Sequence, residues 1–587
     1  MKYARKTIDE KARKFIDGII AKMTVEEKVG QLFTYLWSGH MITPGVMDAI
    51  ENLHCGALRL QPFCLAGKRL KYYGFDTGGK KYDYPPEHRV SRENLFSGCR
   101  CGMPTATEYA GLLNRLQELA TARPCGIPLT FSSDQEGDLA RDSFFTGYNL
   151  FPMPMGLAAT GDIELVYEGS KAVARQCSAV GITTLHSPVV DINIQPMNPE
   201  INIRSYGDDP QQVAEYALAG MKGLQDGGIL ATAKHFPGRG DSVDDAHFDL
   251  PVLDVDRKRL DEMELVPYRK LIDNGLDSVM IAHNLYPCLD EENLATVSRK
   301  ILTGLLREEL GFEGVITTDA IGMGALMNKH GLPQACALAI AAGCDMVLNK
   351  SESTYRDQGF CETLKFVQDG RIPAEELDAK VRRILTMKYR RGLFDSAQVD
   401  AANAEAPMRD PEVIELADTV ARKCAMVLRD RNGLLPLDTS KKVLVIEQEM
   451  PTRILTQDTR LHRLLFSEIM WSHSLDVECT DVSFFATEDD RKWVMPMVDE
   501  AETIVLVNHY WRGDEQNLAF VKEVLAKRKD VILVTNCPYE LTVPAEAPTV
   551  VCNWASTPES MRVAAEIIFG KEKPQGTWPL KHYSVPE

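Results

Sequence analysis

Between about residues 22 and 390, short apolar runs alternate with longer segments of helical pattern. PLTFSS, ITTLHSPVV, GILATA, SVMIAH, GVITT and DMVLN have strand length, while the segments following Asp209, Asp256, Ser298 and Pro373 have the length and spacing of helices. A strand that is apolar along its whole length must be covered on both faces. Such strands belong to a parallel sheet whose chain returns through crossover helices. Near the start, Thr24 and Glu27 have the spacing of a capping box, which predicts a helix there with Val25, Val29 and Leu32 on its buried face.

A second alternating set follows the acidic, alanine-rich stretch VDAANAEAPMRDPE, which reads as a linker over 396–415. In it KVLVIE, TIVLVNH, VILVTN and TVVCNW are strands separated by helices such as EQNLAFVKEVLAKR, so that 416–587 is expected to be a doubly wound α/β domain. No glycine-rich nucleotide fingerprint follows any of these strands, which argues against a dinucleotide site. The whole chain of 587 residues has ample length for two such units.

Residues 55–105 interrupt the pattern. Lys68, Arg69, Lys71, Lys80 and Lys81 are interleaved there with Tyr72, Tyr73, Phe75, Tyr82 and Tyr84, a basic and aromatic insertion in a chain of net charge -18. It reads equally as a solvated insertion, an oligomer contact or a loop that holds substrate. The overall acidity argues against a nucleic-acid partner, which would need a basic surface. Fourteen cysteines show no paired CxxC spacing; Cys55, Cys64, Cys99 and Cys101 are the nearest to a cluster, and free thiols are the expectation. The N-terminal segment alternates charged and apolar residues and lacks the apolar core of a secretory signal, and no later stretch is long enough to span a bilayer. A cytoplasmic location away from membranes is the expectation, as is the absence of metal or cofactor, since no HExxH or comparable ligand spacing occurs.

The densest chemistry lies in KHFPGRGDSVDDAH, Lys234 to His247, where two histidines, a lysine, an arginine and three aspartates surround two glycines and a proline. That composition predicts a loop at the C-terminal end of the GILATA strand, where a β/α barrel places its active site. Asp319 stands in the same position after GVITT; an aspartate there is either a helix cap or a nucleophile. His247 changes protonation state near neutral pH, and a carboxylate two positions away can meet it in an extended segment but not on a helix. Asp245 has that spacing and Asp244 competes with it; the alternative is a plain surface loop.

The ordered set DQEGDLAR (Asp134 to Arg141), SPVVDINIQPMNPEINIRSYGDDP, KHFPGRGDSVDDAH, SVMIAH, ATVS and FEGVITTDAIGM, with GKEKPQGTWPL near the end, resembles family 3 glycoside hydrolases and, within them, the β-N-acetylglucosaminidase branch. The resemblance implies an N-terminal (β/α)8 TIM-like barrel over 1–395, followed by an α/β sandwich domain. It also implies a two-step retaining, exo-acting mechanism on a small β-linked carbohydrate. Position by position it makes Asp319 the nucleophile, His247 the acid/base and Asp245 its partner. Asp134, Arg141, Arg204, Lys234 and His235 become the residues that bind sugar hydroxyls, a task suited to carboxylates and cationic donors.

This chain departs from the branch in several places. Arg239 replaces a histidine and Ala246 a serine, while DQEGDLAR is one residue short and has Asp138 where a second glycine is usual, which leaves the register of Arg141 open. Arg239 is therefore a further candidate substrate-binding residue, and its fixed charge suggests a preference for an anionic sugar. A neutral imidazole base also leaves phosphate admissible in place of water, so phosphorolysis is a second expectation. Two rival readings remain: a β-glucosidase-like enzyme taking its acid from Glu515 in WRGDEQ, and a non-catalytic sugar-binding homologue.

Overall fold

The computed structural model describes residues 6–38, 41–61, 104–138, 140–141, 145, 147–243, 251–350, 355–448, 464–483, 486–510 and 518–584. Strands β1 (Phe33–Ser38), β2 (Ala57–Gln61), β3 (Thr130–Ser133), β6 (Thr184–Leu185), β7 (Leu230–Phe236), β8 (Ser278–Ile281), β9 (Val315–Ala320) and β10 (Met346–Asn349) close into a parallel barrel in the order β1-β10-β9-β8-β7-β6-β3-β2. Between β3 and β6 a short antiparallel hairpin, β4 (Gln135–Gly137) and β5 (Ala140–Arg141), rises from the mouth. The fold is thus a TIM-like barrel.

Two sequence expectations are corrected here. The run assigned to an insertion from residue 55 begins with a barrel strand, because ALRLQ (57–61) is β2 and every one of its residues is buried. Residues 62–103, including Cys64, Cys99 and Cys101, lie outside the described residues, while burial pushes the Cys55 thiol up to about 11. The helix Val25–Gln31 has the expected capping box on Thr24 and Glu27, but Val25 is exposed, since the first helical position points out past the cap; Val29 and Leu32 are fully buried.

The second sheet has the order β11-β16-β15-β14-β12-β13, built from β11 (Met426–Asp430), β12 (Val443–Gln448), β13 (Val477–Val482), β14 (Thr503–Val507), β15 (Val531–Thr535) and β16 (Thr549–Cys552). All neighbours are parallel except β11 and β16. Strand order reverses at β12, where an open α/β sheet would hold a phosphate against a helix N-terminus. Here Glu447 fills that position itself: its carboxylate accepts from the backbone N–H groups of Phe466 and Ser467 at the start of the helix Leu465–His473.

The two units share an apolar core. Met153, Met155 and Ile203 from the barrel side pack with Tyr539, Trp554 and Leu580 from the second. The stretch before the second sheet lies on the barrel, with Met408 accepting from Asn149 and Val399 donating to Asn114, and a helix starts at Pro411. Among the described residues no helix is long and apolar enough to cross a membrane.

Candidate active site

The polar cluster forms at the C-terminal mouth of the barrel, where each strand ends and its last side chains leave the packed interior. Asp134 follows β3, Lys234 and His235 end β7, and Asp319 sits near the end of β9. Lys234 and His235 are therefore strand residues, not loop residues as the glycines and proline downstream suggested; the loop begins only at Pro237. The chain leaves β7 so close to the segment after β6 that a Cβ on Gly240 would come 1.7 Å from the carbonyl oxygen of Ile192.

Asp319 is partly exposed to the mouth. One carboxylate oxygen accepts from the Ala320 N–H at 2.7 Å. The other lies 3.8 Å from His235 Nε2 and 3.9 Å from Arg239 Nη2. Arg239 donates to His235 Nε2 at 2.9 Å, so that nitrogen must be the acceptor and the ring proton must sit on Nδ1. Nδ1 in turn donates to Asp191 Oδ2 at 2.7 Å, and Asp191 also accepts the backbone N–H groups of His235 and Arg239. Burial, with the charges of Arg239, Arg204 and Lys234, holds the His235 imidazole well below its usual titration range. Burial raises the Asp191 carboxyl to about 6 against the pull of Arg239. His235 is thus a fixed neutral ring of known tautomer.

A second group lies alongside. Arg204 donates from Nε and Nη2 to the two oxygens of Glu136, at 2.6 and 2.9 Å, a forked pair that orients both planes. Lys234 bridges Glu136 and Asp134, the latter at 2.9 Å, and Arg59 also pairs with Asp134. Burial alone would raise both carboxyls; instead Arg204 and Lys234 bring Glu136 down to about 2, and Arg59 and Lys234 hold Asp134 well below the usual carboxylate range. Both are permanent acceptors, and Asp134, the more exposed, faces the mouth.

Arg239 has a different setting from the one its sequence position suggested. It is buried, and its Nη1 lies 3.1 Å from Glu200. Among the described side chains of the mouth, Arg59, Arg204, Lys234 and Arg239 face Asp134, Glu136, Asp191, Glu200 and Asp319, so the cations are committed and the charge expected to attract an anionic sugar is already neutralised. His247, Asp245, Asp244 and Glu515 lie outside the described residues. For Arg141 the backbone alone is described, in β5 opposite Gln135. Sequence reasoning missed Arg59, Glu136, Asp191 and Glu200. Asp191 had a usable signal, a lone charge inside the apolar run VVDINI.

Carboxylates and fixed cations around a partly exposed aspartate thus stand at the barrel mouth, where TIM-barrel enzymes place their active sites. Residues 95–387 match the model of the glycosyl hydrolase family 3 N-terminal domain. A β-hexosaminidase of Xylella fastidiosa is 35% identical over 227 residues, 38% of this chain and 67% of that protein. A β-N-acetylglucosaminidase/β-glucosidase of Cellulomonas fimi is 32% identical over 383 residues, 62% of this chain; the chain spans just under two thirds (66%) of that relative. The solved structure of a family 3 β-N-acetylglucosaminidase from a Paenibacillus strain superposes with a TM-score of 0.80 at 28% identity, covering 96% of this chain and 99% of that one. The chain belongs to glycosyl hydrolase family 3.

Proposed function

We propose that this chain is a retaining, exo-acting β-glycosidase that works best on terminal β-N-acetylglucosaminides. The observation that carries the reading is Asp319, a carboxylate at the barrel mouth with His235 and Arg239 within 4 Å and the Glu136, Arg204, Lys234 and Asp134 array beside it. Family membership and the names of the relatives support the substrate class. In the first step Asp319 attacks the anomeric carbon while His247, as imidazolium and partnered by Asp245, protonates the leaving oxygen. In the second, neutral His247 takes a proton from water as the water oxygen bonds to the anomeric carbon, and the carbon–oxygen bond to Asp319 breaks to return the carboxylate. Arg239, held by Glu200, keeps its Nη2 3.9 Å from the Asp319 carboxylate that departs in that second step. Asp134, held ionised, accepts hydroxyl protons of the sugar while Lys234 and Arg204 donate beside it.

Turnover of a panel of p-nitrophenyl β-glycosides by wild type and His247→Ala tests this. The N-acetylglucosaminide should be cleaved best, and the variant should lose about 10²–10⁴-fold in rate. Refusal of the N-acetylglucosaminide with cleavage of another glycoside would remove the branch assignment, and full activity in His247→Ala would remove the acid/base. A neutral imidazole base also admits phosphate as an acceptor; glycosyl phosphate should then appear as phosphate is raised, and an unchanged product ratio would exclude it.

A further inference from the structure

We infer that Asp138 and Ser556 are positioning residues for sugar recognition, acting across the contact between the barrel and the second sheet. The inference rests on the glycosidase reading above for its kinetic consequence, not for its geometry. Asp138 occupies the tip of the β4–β5 hairpin, two residues beyond Glu136. It is buried, and one carboxylate oxygen accepts from the Ser556 backbone N–H at 2.9 Å while the other accepts from Ser556 Oγ at 2.9 Å. Its own N–H donates to Phe151 at 2.8 Å. Its φ of 35° lies in the left-handed region, which glycine adopts freely and aspartate tolerates better than most residues. An aspartate standing where glycine suits the backbone is informative, since the turn itself does not need a side chain there.

Ser556 is a firm anchor. It follows β16, and two residues earlier the fully buried Trp554 donates its indole N–H to the Cys424 carbonyl at 2.8 Å and packs on Gly156, where an added Cβ would meet the Trp554 Cβ at 2.6 Å. The other half of the Glu136 pair is tied to the same unit. Arg204 follows Asn202, whose side-chain oxygen lies 3.2 Å from Cys537 Sγ. Asn193, which accepts the Asn202 N–H, donates to the Tyr539 hydroxyl at 3.1 Å, and Tyr510 donates to the Pro199 carbonyl at 2.7 Å. Both partners of the Glu136 and Arg204 ion pair thus stand on segments braced by the second sheet. On the hairpin side, the carboxylate of Asp138 makes the hydrogen bonds to Ser556 of the second unit.

The test uses the full chain with Asp138→Gly, Ser556→Ala, the double variant and Asp138→Asn. Asp138→Gly removes both bonds and should lower kcat/KM on the preferred aryl glycoside on the order of tenfold, mainly through KM, because the recognition array loosens by a fraction of an ångström, while Ser556→Ala keeps the backbone bond and should lose less. The double variant should be no worse than Asp138→Gly alone, and Asp138→Asn, which keeps an acceptor and tolerates the turn, should recover most of the loss. Amide hydrogen exchange of 135–141 should speed up in Asp138→Gly and in Ser556→Ala. Wild-type KM in both single variants would overturn the inference even if their melting temperatures fell, as would unchanged exchange in the hairpin. If wild type cleaves no glycoside, the activity reading fails, and the exchange measurement still decides whether Ser556 holds the hairpin.

Discussion

At the scale of single residues, the mouth of the barrel is an arrangement of carboxylates each holding a functional group in place. Glu136 is the most consequential, because Arg204 and Lys234 both depend on it. Glu136→Ala would leave two buried cations short of their counter-charge and should destabilise the protein by about 3–5 kcal/mol, read as a lower denaturant midpoint. A midpoint equal to wild type would mean the pair is dispensable. The same groups set the acid response. Glu136 and Asp134 are lowered in the folded state, so their contribution is present above the ordinary carboxylate range and is lost as pH falls from about 4.5 toward 2. His235 is also lowered and acts in the same direction from about 6.5 downward, whereas Asp191, raised to about 6, acts in the opposite direction as pH rises through 3.8 to 6. The two oppose each other between about pH 4.5 and 6, so stability should change little there and drop steeply below about 4.5; a loss already complete at pH 6 would contradict these assignments. Of the candidate site residues, Asp134, Arg204, Lys234, His235, Arg239 and Asp319, which the structure gathers at the mouth, were legible in the sequence because their motifs are dense and ordered. Those that hold them were not, since a carboxylate such as Glu200 reaches Arg239 across the fold and no local spacing records the contact.

At the scale of elements, the strands found from sequence were those with uninterrupted apolar runs, β3 and β6 to β10, together with β12 and β14 to β16. The others were hidden for physical reasons. In β2 the buried Arg59 breaks the apolar run, and it is buried because its charge goes to Asp134. In β13 exposed Glu478 and Cys479 dilute the pattern of an edge strand. Strand β7 shows how local composition misleads: glycines and proline after residue 236 suggested that Lys234 and His235 were already in a loop, but pairing with β8 continues to Phe236, with Lys234 opposite Met280 and the register shifting across His235. The close approach of Gly240 to Ile192 then fixes where the loop carrying Arg239 leaves the barrel. Gly240→Ala should push the two segments apart and reduce kcat/KM about 10²-fold through Arg239 and Asp191, with circular dichroism unchanged. Activity within twofold of wild type would show that the approach does not matter.

At the scale of the whole molecule, a barrel and a second sheet joined by a linker would ordinarily unfold separately. Here Trp554, Tyr539 and Leu580 pack with Met155 and Ile203, and Asp208 accepts the backbone N–H groups of Lys581, His582 and Tyr583, so the end of the described chain is strapped to the barrel. Calorimetry should therefore record a single unfolding transition, and two well-separated transitions would contradict the shared core. The central claim, that Asp319 forms a glycosyl ester, is tested most directly by mass spectrometry of protein treated with an activated 5-fluoro N-acetylglucosaminyl fluoride. The account predicts a mass increase of one fluorosugar, carried by the peptide containing Asp319 and absent in Asp319→Ala. A label on another residue, or turnover with inversion at the anomeric carbon and no covalent adduct, would contradict it.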